Sequence, residues 1–360
     1  MEIGFGYTFP AIRGVQARRE YYVSMCPLSL ITKIFLFDDK ELTPELRAQR
    51  VLAKNRVPEI ANYILKNREN YTFSALTASI DGKNSFVPTK ESDNMGLLTI
   101  DINAKIIIND GQHRRAAIEA AMRECPDLAE ESIAVVFFQD QGMRRAQQMF
   151  SDLNQYSVKT SKSLSVLYDH RNPWAEVTRR LVLEVDFLRD LVEFEKTSLA
   201  TRSRKLFTLS SVHNANMALL VGLPEAETQE EAILLSKNFW QCLYAKMPDW
   251  QHVSQGTLLA SDIREKGISS LGIILHALCI VGNFLFKEKR SSWESYLDRL
   301  KKIDWSRSNT CVWQSRIMHH NRVSKSMNSV ILASNVIKKQ LDIPLTSEEQ
   351  KVELNFLEEL

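Results

Sequence analysis

Hydrophobic positions follow two different patterns along the chain. In the first half, runs rich in Ile, Val, Thr and Phe have the length of β-strands; they cover residues 72–80, 97–108 and 133–138. An amphipathic stretch at residues 44–65 repeats apolar residues at helical spacing and has Pro44 at its first position. Strand-length runs that alternate with helical stretches predict an α/β arrangement for this half.

After Asp152 the strand-length runs stop and longer helical patterns replace them. Apolar residues recur at helical spacing over residues 174–194, 230–244, 268–286 and 293–303. Because the 360 residues of the chain exceed the about 100–200 residues of a typical domain, we predict an α+β protein of two domains. Residues 1–155 would form the α/β domain and residues 156–360 a mainly α-helical domain.

Charge is nearly balanced in this chain. Lys and Arg number 46 and Asp and Glu number 44, which gives a formal net charge of +2. Bulk charge therefore cannot hold a polyanion, and a DNA partner would need a local basic patch.

The 5 cysteines include no CxxC pair, which argues against a structural metal and predicts reduced thiols. The longest apolar run, residues 271–286, is interrupted by Gly272, His276, Gly282 and Asn283, so we predict a cytoplasmic protein without a membrane segment.

The most informative segment covers residues 98–122. Apolar residues alternate, then run together at residues 106–108, and Asn109, Asp110 and Gly111 give a turn signal ahead of an alanine-rich stretch. This pattern predicts a buried strand, a tight turn and a helix, whose first N–H groups can bind phosphate. The residues predicted to hold a phosphate or a nucleotide here are Gly111, Gln112, His113, Arg114 and Arg115.

The chemistry of this turn stays open between two interpretations. In the first, Asp110 only caps the helix, and Arg114 and Arg115 lie on its solvated surface. In the second, the turn binds phosphate, although Asp110 would repel an anion unless a Mg²⁺ ion bridges the two. If the turn belongs to an enzyme, its candidate catalytic residues are Asp110, His113 and Arg114, and Asp110 is the candidate Mg²⁺ ligand.

The string Asp110-Gly111-Gln112-His113-Arg114 is the signature of the DGQHR-domain proteins. Downstream, residues 149–154, 159–164 and 167–171 resemble the DndB branch of that group. DndB proteins belong to bacterial DNA phosphorothioation (Dnd) systems, which replace a non-bridging phosphate oxygen of DNA by sulfur. The resemblance implies a DNA-binding regulator that represses its own modification operon.

The turn is also similar, more distantly, to the phosphate loops of the ParB/sulfiredoxin superfamily, and this resemblance implies a ParB/sulfiredoxin-like core for the first domain. It also implies that Gly111, His113 and Arg114 contact phosphate. Sulfiredoxin chemistry requires a cysteine in the turn, where this chain has Gln112, so sulfinic-acid reduction is excluded. Binding or hydrolysis of ATP with Mg²⁺ stays open, and no cofactor is certain.

Basic residues gather in three clusters, at residues 144–171, 196–205 and 299–325. The acidic residues that balance them lie elsewhere, at residues 225–231 and 348–359, and such segregation favours nucleic-acid binding. The residues predicted to contact DNA phosphates are Arg144, Arg145, Lys159, Lys162, Arg171, Arg202, Arg204 and Lys205.

A helix-turn-helix at residues 206–222 is a weaker alternative, with Ser210 or Ser211 as the cap of a base-reading helix. The side chains that would face base edges are His213, Asn214 and Asn216. A core helix with its apolar residues inward is the favoured interpretation. His276 is predicted to be a hydrogen-bonded core residue.

The main hypothesis is a transcriptional repressor of a DNA phosphorothioation operon that binds double-stranded promoter DNA. The alternative is a nucleotide-dependent enzyme, an ATPase with or without DNA-nicking activity, whose site is residues 110–114. A third hypothesis is a scaffold for the modification machinery. The expected partners are promoter DNA, other Dnd proteins and further copies of the chain, but no membrane.

Overall fold

The computed structural model describes residues 5–35, 56–139, 148–149, 151–153, 160–289, 291–319, 322–324 and 326–358. The chain divides into two compact units, Met1–Val158 and Lys159–Leu360. The first contains a mixed sheet with helices, and the second is mostly helical, so the predicted α+β class is confirmed. Among the described helices, none combines the length and the apolar character that crossing a membrane requires.

The first unit is built on a seven-stranded sheet in the order β4-β5-β1-β2-β7-β3-β6. Its strands are β1 (Gly6–Gln16), β2 (Arg19–Pro27), β3 (Leu76–Asp81), β4 (Asn84–Pro88), β5 (Met95–Asp101), β6 (Lys105–Asp110) and β7 (Ser132–Gln139). Strands β3 and β7 pair in parallel, and the other neighbours are antiparallel. Strand β6 therefore lies at one edge of the sheet.

In the described part of this unit, the helices with defined bounds are α1 (Leu28–Ile34), α2 (Arg56–Lys66) and α3 (Gln112–Glu124). Ile118 of α3 is fully buried in one core with Ile100, Val135 and Phe137 of the sheet. Of the helix predicted at residues 44–65, residues 44–55 lie outside the described part of the chain. Helix α3 therefore follows an edge strand and is fixed through its apolar face.

The strand prediction for residues 97–108 is wrong in one respect, because this run forms the two strands β5 and β6. Asp101 makes the break: its Oδ1 accepts from the backbone N–H of Asn103 at 2.8 Å, and its carbonyl accepts from the N–H of Ala104 at 2.9 Å. An aspartate that bonds the backbone two residues on forms a turn. The β1–β2 hairpin had no predicted counterpart, and its tip has Ala17 and Arg18 at positive φ.

The second unit contains twelve described α-helices that fold around a single core. They are α4 (Lys162–Tyr168), α5 (Pro173–Glu184), α6 (Asp186–Leu191), α7 (Leu209–Leu220), α8 (Gln229–Lys246), α9 (Pro248–Ser254), α10 (Ala260–Lys266), α11 (Gly272–Glu288), α12 (Trp293–Leu297), α13 (Thr310–Trp313), α14 (Met327–Gln340) and α15 (Ser347–Glu358). Short strand pairs join β8 (Val192–Glu193) to β9 (Phe207–Thr208) and β10 (Met318–His319) to β11 (Arg322–Val323).

Helix α7 packs its apolar residues into the core, while Asn214 is exposed. Thr208, and not Ser210 or Ser211, caps it. Asn216 is 1% exposed and accepts a hydrogen bond from Trp240 Nε1 at 3.1 Å. A buried amide that is already paired cannot face a base edge, so the structure supports the core interpretation.

His276 of α11 does not fit its prediction as a hydrogen-bonded core residue. It is half-buried, and no described residue bonds its ring. Burial lowers its pKa, so the imidazole is neutral at pH 7.

The third basic cluster is partly neutralised inside the second unit. The Glu353 carboxylate on α15 is 7% exposed, and both of its oxygens accept from Arg316, at 2.9 and 2.8 Å. Lys339 donates to the same carboxylate at 2.5 Å, and Arg299 pairs with Asp342. The acidic tail therefore balances cations of the third cluster directly, and the predicted segregation of charge does not hold there.

Removing the charge of Glu353 should destabilise the docking of α15. Burial alone would raise the pKa of Glu353, but hydrogen bonds from Arg316, Lys339 and Asn335 lower it to about 2. In the unfolded chain the pKa of a glutamate is about 4.3. The ionised Glu353 carboxylate therefore stabilises the folded state above that pH, and this stabilisation is lost as the pH falls toward 2. We expect Glu353→Gln to lower the free energy of unfolding by about 3 kcal/mol at pH 7, measured by urea denaturation.

The same variant should also flatten the acid dependence of stability below pH 4. Glu358→Gln is the matched control, since Glu358 is exposed on the same helix. Equal stability of Glu353→Gln and wild type at pH 7 would show that this ion-pair cluster does not hold α15.

Candidate functional site

The DGQHR turn connects edge strand β6 to helix α3 through Gly111. Gly111 has φ +104°, a conformation that side chains rarely adopt. A Cβ at this position would lie 2.3 Å from Leu76 Cδ2. No side chain caps the start of α3 among the described residues. Glycine is therefore required here, and the turn leaves backbone N–H groups at the positive end of the helix.

A β-bulge fixes the end of β6 just before this turn. Thr77 pairs with Asp110 and Ala78 pairs with Ile108, so Asn109 is the extra residue. The buried Asn109 amide donates to Ser79 Oγ at 2.6 Å. This hydrogen bond gives the buried Asn109 amide a partner inside the unit and joins the turn to β3.

Arg114 binds the protein itself. Its Nη2 donates to Asp110 Oδ2 at 2.5 Å, and its Nη1 donates to Ser74 Oγ at 2.6 Å and to the Ala75 carbonyl at 3.0 Å. The side chain is 15% exposed. Arg114 thus joins the chain before β3 to the end of β6, and gripping a phosphate would require it to leave these partners.

Arg115 and Gln112 also point into the first unit. The buried Arg115 guanidinium donates to Glu119 at 2.9 Å and to the carbonyl of Thr32 in α1 at 3.0 Å. Gln112 is buried as well. Three of the predicted phosphate-binding side chains are therefore buried or bonded within the first unit: Gln112, Arg114 and Arg115.

His113 is partly exposed at the turn. Burial lowers its pKa, the charge of Arg56 lowers it further, and Asp110 acts in the opposite direction. The imidazole is therefore neutral at pH 7. Arg56, which is exposed at the first described position of α2, adds a cation near the turn. A single arginine forms no pattern in the sequence, so it could not be predicted to lie here.

The residues of the turn suit a Mg²⁺ ion poorly. Asp110 already accepts a hydrogen bond from Arg114, and a Mg²⁺ ion would compete with that guanidinium. Within the described ranges, no group of three His, Cys, Asp or Glu side chains is placed to bind a metal ion. A nucleotide at this turn would rely on backbone N–H groups and on His113.

The second predicted surface is the loop at residues 200–205, and Arg264 of α10 organises it. The Arg264 guanidinium donates to the carbonyls of Ser203 at 2.8 Å, Ala200 at 3.0 Å and Thr201 at 2.7 Å, and also to that of Lys205. Four carbonyls on one side chain fix the path of the loop. No sequence pattern predicts this role of Arg264, because its partners lie about sixty positions away along the chain.

Arg202 and Arg204 extend from this loop into solvent. Both are exposed, and neither has an ion pair or hydrogen bond within the described part of the chain. Lys205 is different, because its Nζ donates to the Asp190 carbonyl at 2.8 Å at the end of α6. Arg202 and Arg204 are thus accessible from solvent, whereas Lys205 supports the loop.

The other predicted DNA contacts have different positions. Lys162 is exposed at the first position of α4, and Arg171 is exposed ahead of α5. Arg144, Arg145 and Lys159 lie outside the described residues. The structure therefore places four of the eight predicted side chains at the surface of the second unit: Lys162, Arg171, Arg202 and Arg204.

The fold and these surfaces can be compared with known proteins. Residues 9–344 match the family model of DndB, which is described as DNA-sulfur modification-associated. The chain therefore falls in a class of proteins associated with the sulfur modification of DNA. This chain belongs to the DndB family, which confirms the resemblance seen in its motifs, while the ParB/sulfiredoxin resemblance stays a prediction. No curated protein and no solved structure matches the chain.

Replacing Arg114 should mainly affect stability. Arg114→Met leaves the Asp110 carboxylate and the Ser74 and Ala75 groups without their donor, and we expect the free energy of unfolding to fall by about 2 kcal/mol. The matched control is Arg123→Met on the same helix, since Arg123 is 76% exposed and should change stability by less than about 0.5 kcal/mol. Wild-type stability of Arg114→Met in chemical denaturation would contradict a structural role.

Proposed function

We propose that this protein is a DNA-binding regulator that represses the operon of its DNA phosphorothioation system by binding the promoter duplex. Membership of a family associated with DNA-sulfur modification supports this context. The observation that carries the proposal is the loop at residues 200–205, whose carbonyls accept hydrogen bonds from Arg264 while Arg202 and Arg204 stay exposed.

Preorganisation of this loop favours binding to DNA. Phosphate oxygens of DNA accept hydrogen bonds from arginine, and most protein–DNA contacts go to phosphate and sugar. A loop that is already ordered loses little conformational entropy on binding. Because Arg202 and Arg204 have no internal partner within the described residues, no ion pair must break before they reach a phosphate.

Other predicted residues take supporting roles in this proposal. Lys162 and Arg171 belong to the same unit as the loop and add exposed cations. Arg144, Arg145 and Lys159 remain predicted phosphate contacts. In the first unit, Asp110, Gly111 and Arg114 hold the turn, and His113 with Arg56 gives it a polar edge. The protein acts in the cytoplasm, with other Dnd proteins and further copies of the chain as candidate partners.

Reversing the two loop charges should weaken DNA binding. We expect Arg202→Glu/Arg204→Glu to reduce affinity for the promoter duplex about tenfold or more, and the slope of log affinity against log salt should fall by about 1.8 if two phosphate contacts are lost. Fluorescence anisotropy across a salt series measures both quantities.

The matched control reverses two exposed lysines of the same unit, in Lys289→Glu/Lys351→Glu. This variant has the same net charge as the test variant, so it should retain most of the affinity if the loop acts through direct contacts. Equal loss in both variants, or no loss in the loop variant, would refute the assignment of the loop.

The alternative function is a nucleotide-dependent enzyme that uses residues 110–114 for ATP hydrolysis, with or without DNA nicking. It has less support, because Arg114 and Asp110 bind each other instead of presenting separate groups to a phosphate. The test is release of inorganic phosphate from ATP and Mg²⁺ by the purified full chain. We expect wild type and Asp110→Asn to give the same background rate; turnover by wild type that Asp110→Asn abolishes would favour the enzyme.

A further inference from the structure

The β1–β2 hairpin extends beyond the core of the first unit. The two strands stay paired as far as Gln16 and Arg19. Residues 15–20 are all exposed, whereas Ala11 and Tyr22, further down the same strands, are buried. At a rise of about 3.3 Å per strand residue, these exposed residues form a two-stranded arm about 10 Å long. We call residues 15–20 the arm.

Both faces of the hairpin are braced where the arm begins. On one face, the Arg13 guanidinium donates to Glu20 Oε1 at 3.2 Å and to the Asp93 carbonyl at 2.8 Å. On the other face, the Tyr21 ring covers Gly14 so closely that a Cβ there would lie 2.6 Å from it. Because neighbouring strand residues point to opposite faces, the arm is supported from both sides.

The arm is positively charged. Its one carboxylate, on Glu20, already accepts hydrogen bonds from Arg13 and from the Tyr22 hydroxyl. Arg18 and Arg19 are exposed, and neither side chain has an ion pair or a hydrogen bond within the part of the chain that the structure describes. The arm therefore offers two guanidinium groups to a partner that accepts hydrogen bonds, as nucleic acids do.

The residues at the tip are unfavourable for the turn that they form. Ala17 and Arg18 are the two central residues of this turn and have φ +51° and +63°. A two-residue hairpin turn with both φ values positive is of type I′, which favours Asn-Gly. Positive φ is strained for other residues, and such strain is typical of functional sites. The chain thus has an arginine where a glycine would suit the backbone better.

The dimensions of the arm suit the major groove of B-DNA. This groove is about 12 Å wide and about 8.5 Å deep and admits a two-stranded ribbon, whereas the minor groove is only about 6 Å wide. Arginine binds guanine there through two hydrogen bonds, and apolar side chains contact the thymine methyl group. Besides its two arginines, the arm has Val15, which is 70% exposed. Both kinds of base contact are therefore available.

We propose that the arm enters the major groove of the promoter duplex and reads its sequence through Arg18 and Arg19. This inference rests on the proposed repressor function and adds the element that recognises bases. The loop at residues 200–205 is proposed to bind phosphates, which carry no sequence information. Asn216 of α7 is buried and already paired. Loss of the arm should therefore reduce specificity, and loss of the loop should reduce affinity for any duplex.

Fluorescence anisotropy of the full chain with two duplexes tests this division. One duplex is the promoter, and the other has the same base composition in scrambled order. We expect Arg18→Gly/Arg19→Gln to reduce the ratio of the two affinities about tenfold or more, because the bidentate contacts to guanine are lost. Arg202→Glu/Arg204→Glu should weaken binding of both duplexes to a similar extent and leave their ratio unchanged.

The matched control is Lys66→Gln/Arg123→Gln, which removes two exposed cations of the same unit and should keep the wild-type ratio. An unchanged ratio in the arm variant, or equal weakening of both duplexes, would overturn the inference and leave the repressor proposal standing. A wild type that binds both duplexes equally would refute the repressor proposal and base reading by the arm together.

The strained turn gives a second readout. Arg18→Gly places glycine at a positive φ, so its melting temperature should equal or exceed that of wild type while the ratio of affinities falls. Arg18→Lys keeps the charge without the planar fork, so it should bind the scrambled duplex as wild type does but lose preference for the promoter. A lower melting temperature of Arg18→Gly, or full promoter preference in Arg18→Lys, would overturn the inference.

Discussion

Arginine side chains that bind backbone carbonyls hold irregular segments of this protein in place. A carbonyl outside a helix or a sheet ladder still needs a donor, and one guanidinium offers five N–H groups in a planar fork. Arg264 uses this capacity on four carbonyls of the loop at residues 200–205. Arg179 does the same for the end of α4, where it donates to the carbonyls of Val166 at 2.8 Å and Asp169 at 3.0 Å.

This use of arginine separates two populations of basic residues that look alike in the sequence. Arg114 and Arg115 belong to the most specific motif, yet their N–H groups already donate hydrogen bonds to Asp110, Glu119 and backbone carbonyls. Arg202 and Arg204 belong to no motif, yet they stay exposed. A guanidinium with internal partners must lose them before it meets a phosphate, so contact with a phosphate would cost the second pair less free energy.

Sequence patterns could predict the elements but not most of the pairings. Helical spacing located α8 and α11 closely, and the turn at Gly111 follows from a glycine that alone tolerates the backbone there. The partners of Arg264 lie in a distant loop, and the acids that neutralise Arg316 and Lys339 come from the C-terminal helix. Local periodicity contains no information about such contacts, which tertiary packing decides.

The loop at residues 200–205 is fixed at both of its sides. Leu206 and Phe207 follow it directly and are each 1% exposed, and Thr208 caps helix α7. Arg264 of α10 donates to four carbonyls along the loop itself. Because buried side chains hold the end of the segment and one guanidinium holds its path, a contact between Arg202 or Arg204 and a phosphate would cost little ordering of the backbone.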